Sequence, residues 1–286
     1  MKRKIIYVLL LIALIFISVN IWCSYNLLQV NTFTYQTEKV SEELHTVVIG
    51  DLHDHSFGAK QNKLVENIKK LKPDVIFMVG DFVNKDSKNA NNTYQLVEQL
   101  AVISPVYFAL GNHEIDFMKQ QGNKEFVKKL TKLGAVVLEK DYVDITLKGN
   151  SLRIGGMYDY AFGHDDYNTV ESASPEIKNF LNDFQNTDAC KIMLSHRPDS
   201  FIFGDASSYW DIDLVINGHN HGGQVVIPFL GGLYGGDQGF FPTYVHGLYK
   251  KDKMHIFITS GLGAYKETLP RFNNIPEIAQ LIITPK

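Results

Sequence analysis

The hydrophobic residues of this chain fall into short runs that alternate with segments of helical spacing. Alternation of this kind is typical of α/β proteins, in which helices pack outside the sheets. Runs rich in valine, isoleucine and phenylalanine predict buried strands at 46–50, 74–79, 105–110, 135–138, 152–156, 190–195, 212–217, 254–260 and 278–284. Apolar residues recur every three or four positions and predict amphipathic helices over 60–71, 93–103, 124–133 and 175–185.

The longest apolar run, Ile5–Tyr25, contains no charged residue. Its 21 residues would span about 31 Å as a helix, enough to cross the hydrocarbon core of a bilayer. Lys2, Arg3 and Lys4 precede it and are expected to stay in the cytoplasm. The run therefore predicts a single-pass membrane anchor with the rest of the chain outside the cytoplasm. A cleaved signal peptide is the alternative, although Val19–Cys23 lacks the small residues that a signal peptidase prefers.

The anchor defines three predicted parts of the chain. Residues 1–25 form the basic leader and the anchor, residues 26–44 form a tether with a possible edge strand, and residues 45–286 form the main folded domain. Within that domain the stretch 222–250 is rich in glycine and aromatic residues and has no helical period. It predicts either a glycine-punctuated hairpin whose aromatics fill a core or a loop that faces substrate and lipid.

Composition limits the classes of function. Hydrophobic residues make up 45% of the chain and charged residues 21%, which is ordinary for a globular protein. Two cysteines, Cys23 and Cys190, exclude a disulfide framework. Without the three basic residues of the leader, 25 basic residues stand against 31 acidic ones, and a nucleic-acid-binding protein is not expected.

Side chains that bind metals follow five of the predicted strands, at the point where each strand ends. In open α/β sheets the carboxyl ends of the strands line the ligand crevice, so segments far apart in sequence converge there. Each segment alone is weak evidence for a metal site, since a single histidine after a strand is more often structural. The presence of all five segments together is strong evidence for one. The candidate ligands are Asp51, His53, Asp81, Asn112, His196, His219 and His221, and His113 and Glu114 follow Asn112 directly.

The chemistry of these side chains restricts the metal. Carboxylates, imidazoles and one amide oxygen suit Mn, Fe or Zn ions, whereas calcium takes oxygen ligands and structural zinc favours cysteine. Seven side chains are enough to coordinate two ions if one carboxylate bridges them. The sequence therefore predicts a site for two divalent or trivalent transition-metal ions.

The order DLH, GD, GNHE, SH and GHNH resembles the pattern of the calcineurin-like metallophosphoesterase superfamily over about residues 45–284. The segments around His196, Gly218–Gln224 and Ser260–Gly263 resemble its membrane-anchored or exported bacterial branch. The resemblance implies an α/β fold, a four-layer α-β-β-α sandwich of the metallophosphoesterase type, preceded here by one N-terminal transmembrane helix.

The resemblance also implies roles for individual residues. His113 resembles the histidine that binds no metal and stabilises or protonates the leaving group, with Glu114 or Asp51 nearby. The implied reaction is hydrolysis of a phosphate ester by metal-activated hydroxide, and a phosphodiester of a lipid or of the cell wall is the expected substrate. The implied ligands are Asp51, His53, Asp81 and His221 for one ion and Asp81, Asn112, His196 and His219 for the other, with Asp81 bridging.

Two alternatives remain open in the sequence. The first is a phosphomonoesterase acting on phosphoproteins or small molecules, but phosphoprotein phosphatases read GDxVDRG where this chain reads GDFVNKD at Gly80–Asp86. The second is a non-catalytic metal-binding scaffold, which is disfavoured because every ligand position holds a competent side chain. No obligate protein partner is predicted.

Overall fold

Two six-stranded sheets packed face to face form the centre of the protein. The computed structural model describes residues 2–121, 125–157, 162, 169–266 and 268–286. The strands are β1 (Gln29–Thr37), β2 (Leu44–Ile49), β3 (Val75–Val79), β4 (Val106–Ala109), β5 (Ala135–Leu138), β6 (Asp141–Leu147), β7 (Asn150–Met157), β8 (Cys190–Ser195), β9 (Leu214–Asn217), β10 (Val226–Ile227), β11 (Gly231–Gly232), β12 (Gly247–Lys251), β13 (Met254–Ile258) and β14 (Glu277–Pro285). The α-helices are α1 (Lys2–Asn26), α2 (Asn62–Lys70), α3 (Asn91–Leu100), α4 (Asn112–Gln121), α5 (Glu125–Lys132), α6 (Pro175–Phe184), α7 (Asp199–Ile202) and α8 (Ala206–Tyr209).

The strand order brings the ends of several parallel strands to one edge of each sheet. The first sheet has the order β1-β14-β2-β3-β4-β5, in which β2 to β5 are mutually parallel and β14 runs antiparallel to β2. The second sheet has the order β12-β13-β9-β8-β7-β6, in which β7, β8, β9 and β13 are parallel. The carboxyl ends of these strands provide the positions from which the candidate ligands project.

Three apolar clusters separate four layers. One cluster lies between the first sheet and helices α2 to α5, with buried residues such as Leu64, Leu96 and Phe126. A second lies between the two sheets, and a third between the second sheet and α6 to α8. The predicted α-β-β-α sandwich is therefore confirmed.

The predicted elements match the structure closely where the hydrophobic pattern was strong. All nine predicted strands and all four amphipathic helices are present, with ends that differ by a few residues. The strands β6 and β12, which were not predicted, lie at the edges of the second sheet. Most residues of both are only partly buried or exposed, so no continuous apolar run marks them.

The segment that connects the N-terminal helix to the domain is built into a sheet. Within 26–44, for which a tether and a possible edge strand were predicted, β1 pairs in parallel with β14 along its whole length, from Gln29 opposite Glu277 to Thr37 opposite Pro285. The first sheet thus begins before residue 45. Helix α1 contains an 18-residue window with a mean hydropathy of 2.7 and is long and apolar enough to cross a membrane, as anchors and signal sequences both are.

The aromatic stretch 222–250 contains the short hairpin β10–β11 and the edge strand β12. Its apolar residues are divided between two environments. Phe229, Leu230, Phe240 and Phe241 are exposed, whereas Val245 is buried. The four exposed side chains do not fill a core.

Candidate metal centre

The candidate ligands lie in loops at the carboxyl ends of five parallel strands, three in the first sheet and two in the second. The structure brings six of them, together with His113, into three overlapping groups. Within each group the ligand atoms lie within 4.8 Å of one another. The groups are Asp51, His53 and His221; His53, Asp81 and His113; and Asp81, His196 and His219.

Asp81 occupies the middle of this arrangement. Its Oδ2 atom is 3.1 Å from His196 Nε2, 3.7 Å from His53 Nε2 and 4.0 Å from His113 Nε2. At the far side of the site, His221 Nε2 lies 3.7 Å from Asp51 Oδ1. One carboxylate therefore faces imidazoles from both sheets, which is the arrangement that a bridging ligand requires.

Three of the histidines are held with one nitrogen directed into the site. His53 Nδ1 is 2.8 Å from Asn84 Oδ1, His196 Nδ1 is 2.7 Å from the Val79 carbonyl oxygen, and His221 Nδ1 is 3.1 Å from the Gly263 carbonyl oxygen. Since these partners are oxygen acceptors, each Nδ1 carries the proton and donates it. In a neutral ring of this tautomer Nε2 presents its lone pair to the site, as a metal ligand must. At His196 the Asp81 carboxylate outweighs burial and raises the pKa to about 10, so this ring must lose its second proton before it can bind metal.

His113 has the opposite tautomer. Its Nδ1 accepts a hydrogen bond of 3.0 Å from the backbone N–H of Lys85, so the proton of the neutral ring lies on Nε2. That nitrogen is therefore a donor rather than a ligand. The geometry matches the role of a histidine that donates to a substrate oxygen.

The buried polar atoms of the site fit a bound cation. Among the described residues, Asp51 Oδ2 and His53 Nε2 are buried without a hydrogen-bond partner, and the buried His196 Nε2 and His219 Nε2 face only the carboxylates of Asp81 and Asp237, at 3.1 and 3.3 Å. An unsatisfied buried polar atom is costly, and metal coordination would satisfy these four. Carboxylate and imidazole donors in this number suit transition-metal ions.

Burial controls the charge of these side chains. It lowers the pKa of His53 and of His219 to about 4, so both rings are neutral at pH 7 and able to bind metal. Burial raises the pKa of Asp51 to about 7. Burial alone would also raise the pKa of Asp81, but the neighbouring His196 holds it well below its usual range. Asp81 is thus an anion at any physiological pH.

The backbone of the site is strained. Five of the seven candidate ligands have a positive φ angle, between 46° and 72°. Such conformations cost about 1–3 kcal/mol each in non-glycine residues and persist only where the surroundings enforce them. Close packing provides that constraint, because the backbone of Gly111 lies against Asp81. A Cβ atom added at Gly111 would lie only 2.3 Å from Asp81 Oδ1. The strained residues are Asp51, His53, Asp81, His219 and His221.

Glu114 has a positioning role instead of a role in proton transfer. Its buried carboxylate accepts hydrogen bonds from the backbone N–H groups of Asp81, Phe82 and Gly111, at 2.7, 2.6 and 2.8 Å. These bonds tie the loop after β3 to the start of α4. The carboxylate is fully engaged with the backbone.

Asn112, the remaining candidate ligand, begins α4 and contacts Arg197 rather than a histidine. Its Oδ1 atom accepts a hydrogen bond of 3.4 Å from Arg197 Nε. Arg197 Nη1 in turn donates to Asp237 Oδ2 at 2.8 Å, and the same oxygen lies 3.3 Å from His219 Nε2. Asp237 was not predicted, because it lies in the glycine-rich stretch, which has no strand period to place it. Asn84, the partner of His53, was also missed, because it lies in the loop between β3 and α3, where no hydrophobic period places it.

A two-sheet sandwich with a buried cluster of histidines and aspartates at its strand ends defines an α/β protein with a candidate metal centre. The family model of the calcineurin-like phosphoesterases matches residues 44–223, and the chain belongs to this family. The family is one of enzymes that hydrolyse phosphate esters. The family uses dinuclear metal centres, and this chain carries the clustered histidine and aspartate ligands of such a centre.

Several known proteins are similar to the chain. An uncharacterized metallophosphoesterase of Campylobacter jejuni is 25% identical over 85% of this chain and 60% of its own length. The phosphodiesterase YaeI of Escherichia coli is 27% identical over 73% of this chain and 70% of its own length. Among solved structures, the phosphopantetheinyl hydrolase PptH of Mycobacterium tuberculosis has a TM-score of 0.49 and 14% identity, over 78% of this chain and 91% of that protein. The chain spans about three fifths of the length of the Campylobacter and Helicobacter relatives.

Proposed function

We propose that the chain hydrolyses phosphodiesters at the outer face of the cytoplasmic membrane and that it requires two metal ions. The observation that carries the proposal is the position of Asp81 between two groups of imidazoles. Asp51, His53, Asp81 and His221 would hold one ion, and Asp81, Asn112, His196 and His219 the other. Two bound ions supply the Lewis acidity that activates water and neutralises phosphoryl charge.

Three side chains that are not shared between the ions donate a proton, contact the phosphoryl group and position the loops. His113 holds a proton on Nε2 next to Asp81 and donates it to the leaving oxygen of the substrate. Arg197 lies beside Asn112 and contacts the phosphoryl group. Glu114 keeps the loops that carry Asp81 and His113 at a fixed distance.

The charge around the site favours a diester over a monoester. Arg197 lies beside Asn112, and Asp237 already neutralises part of its charge at 2.8 Å, while the buried Arg271 donates to backbone carbonyl oxygens. A phosphodiester carries one negative charge, whereas a monoester carries nearly two at neutral pH and needs more cationic partners. The phosphodiesterase activity in the name of the relative from Escherichia coli agrees with this preference.

Metal dependence tests the proposal directly. The purified full-length protein, stripped of metal with a chelator, is assayed against bis-p-nitrophenyl phosphate and p-nitrophenyl phosphate with Mn, Fe or Zn. We expect activity to return with at least one of these metals and to be higher on the diester. Equal activity before and after metal removal would contradict the proposal, and a preference for the monoester would favour the phosphomonoesterase alternative.

The variant Asp81→Asn tests the bridging role. We expect it to lose activity and to hold fewer metal ions per chain, as measured by mass spectrometry of the metals. Asp188→Asn is the matched control, since Asp188 is exposed and remote from the ligand groups. Near-normal turnover in Asp81→Asn would end the dinuclear proposal.

A further inference from the structure

The N-terminal helix leaves the sandwich at the same edge as the metal centre. Strand β1 follows the helix directly and begins at Gln29, opposite Glu277 at the start of β14. Because β14 lies between β1 and β2, parallel to the first and antiparallel to the second, the start of β1 lies at the same edge of the sheet as the end of β2. Asp51 follows that end. A contact joins the two features: His55, two residues after His53, donates from Nε2 to the Tyr25 carbonyl oxygen at 2.7 Å.

The domain also contacts the helix far from its carboxyl end. The Asn273 N–H donates to Asn20 Oδ1 at 2.5 Å, and the Arg271 N–H donates to the Tyr25 hydroxyl at 3.1 Å. The rings of Phe16 and Phe272 meet edge to face, with centroids 6.4 Å apart. These contacts extend from Tyr25 back to Phe16, which is about 14 Å along a helix.

This length of contact determines where a bilayer can lie. Residues 5–15, which precede the contacts, would span only about 17 Å as a helix. The hydrocarbon core of a bilayer is about 30 Å thick. If the apolar run Ile5–Tyr25 spans the membrane, the part of the domain that contacts Phe16 must therefore reach the membrane interface.

Exposed apolar side chains lie on the loop that is joined to this part of the domain. Asn273 Nδ2 donates to the Val226 carbonyl oxygen at 3.1 Å, and Val225 pairs with Phe272, so the base of the hairpin adjoins the helix. We call residues 225–245 the hairpin loop. Phe229 at its tip is fully exposed, and Leu230, Phe240 and Phe241 are 67%, 68% and 59% exposed.

Two of these side chains are held outward at a cost in backbone strain. Phe229 and Phe241 have φ angles of 68° and 54°, a region that bulky residues rarely adopt. Strain of this kind is retained where it places a side chain for a function. An exposed apolar patch beside an apolar helix fits the interface of a bilayer, where aromatic rings are enriched.

The opposite side of the hairpin loop faces the metal centre. Asp237 in this loop lies 3.3 Å from His219 Nε2. A cavity of about 500 Å³ lies between the loop and the helix. Its apolar lining includes Phe16, Val19 and Val226, and its polar lining includes Asn20, Ser260 and Asn274. Apolar and polar walls together suit an amphiphile.

We propose that the hairpin loop docks into the outer leaflet of the membrane, so that the metal centre faces the bilayer and takes phosphodiesters presented by lipids. The proposal rests on the proposed phosphodiesterase function and adds its substrate class. Phe229, Leu230, Phe240 and Phe241 are the side chains that enter the interface.

Fluorescence depth measurements test the docking. The full-length variants Phe240→Trp and Leu230→Trp are reconstituted in vesicles of phosphatidylethanolamine and phosphatidylglycerol that contain brominated lipid. We expect bromine to quench the added tryptophan in both variants. Val102→Trp is the control, since Val102 is exposed but precedes β4, at the opposite end of the first sheet from the metal centre. Quenching in the parent shows that the helix is inserted, because its other tryptophan, Trp210, is buried in the domain, and the added tryptophan is read as the difference between variant and parent.

Kinetics provide a second, independent measurement. The double variant Phe229→Ser/Phe240→Ser is assayed on two diesters with the same p-nitrophenol leaving group, soluble bis-p-nitrophenyl phosphate and a diacylglycerol p-nitrophenyl phosphate embedded in vesicles. We expect the rate on the vesicle substrate to fall about tenfold or more, because two apolar side chains no longer enter the interface, while the rate on the soluble diester is maintained. Val102→Ser should leave both rates unchanged.

The outcomes separate the two proposals. Quenching of Trp22 without quenching at position 230 or 240, or equal rates of the double variant and the parent on the vesicle substrate, would overturn the docking. Absence of metal-dependent hydrolysis of the soluble diester by the parent would overturn the proposed function, whatever the depth of the loop.

Discussion

The direction of one hydrogen bond distinguishes His113 from its neighbours. His53, His196 and His221 each have an oxygen acceptor at Nδ1, whereas His113 has the N–H of Lys85. We therefore expect His113→Ala to keep its metal but to lose rate, by about 10²–10⁴-fold on esters with poor leaving groups. The check combines metal content with kcat for a series of diesters of rising leaving-group pKa.

A matched variant makes this prediction specific. His53→Ala, which removes a ligand, should lose metal as well as rate. An equal loss of rate for activated and unactivated esters in His113→Ala would contradict the proton-donating role, because help to the leaving group matters most where that group is poor.

Asp237 provides a second prediction for a single residue. Its carboxylate lies between Arg197 and Nε2 of His219, where it competes with an anionic substrate for the arginine. We expect Asp237→Asn to lower KM for the soluble diester while kcat changes little, because the asparagine holds Arg197 less strongly. A large loss of kcat together with loss of metal would show that Asp237 is itself a ligand.

Helix α4 and the loop after β3 are joined through Glu114. Its carboxylate accepts three backbone hydrogen bonds of 2.8 Å or less, in a site without solvent access. In Glu114→Gln one oxygen becomes an NH₂ group that faces backbone N–H donors, so we expect a loss of about 1–3 kcal/mol in the free energy of unfolding. Urea denaturation in the presence of a chelator measures this loss without a contribution from bound metal.

The control for Glu114 is a glutamate on the next helix. Glu125→Gln removes a carboxylate that is 71% exposed and pairs with Lys128, so its effect should stay within about 0.5 kcal/mol. Equal stability of the Glu114 and Glu125 variants would show that the backbone bonds to Glu114 contribute little.

The same elements show which features of the protein the sequence could predict. Strands β2, β3, β8 and β9 are continuous apolar runs that end in glycine or a metal-binding side chain, so their pattern predicted both the sheet and the ligands. Strands β1 and β6 are edges with exposed residues, and no run of apolar residues marks them. The carbonyl oxygens of Val79 and Gly263, which orient two ligands, are backbone atoms and leave no signal in the sequence.

At the scale of the whole molecule, the N-terminal helix and the domain form one connected structure. Arg271 is fully buried and donates to the carbonyl oxygens of Ser260 and Gly263, while its own N–H donates to the Tyr25 hydroxyl. Gly263 also accepts from His221 Nδ1. Three hydrogen bonds, through Arg271 and Gly263, thus connect the end of the helix to the candidate ligand His221, a closer connection than a flexible tether would give.

The position of the chain relative to the membrane is the last prediction, because it determines which substrates the site can reach. Lys2, Arg3 and Lys4 should hold the start of α1 in the cytoplasm and place the metal centre outside. Protease added to intact spheroplasts should therefore digest the domain, whereas a cytoplasmic marker protein stays intact. Membranes washed at alkaline pH should retain the full-length chain, since about 31 Å of apolar helix resists extraction. Protection of the domain from protease would place it in the cytoplasm and exclude an outer-leaflet substrate, while recovery of a soluble form that begins near residue 24 would show a cleaved signal peptide and a secreted enzyme.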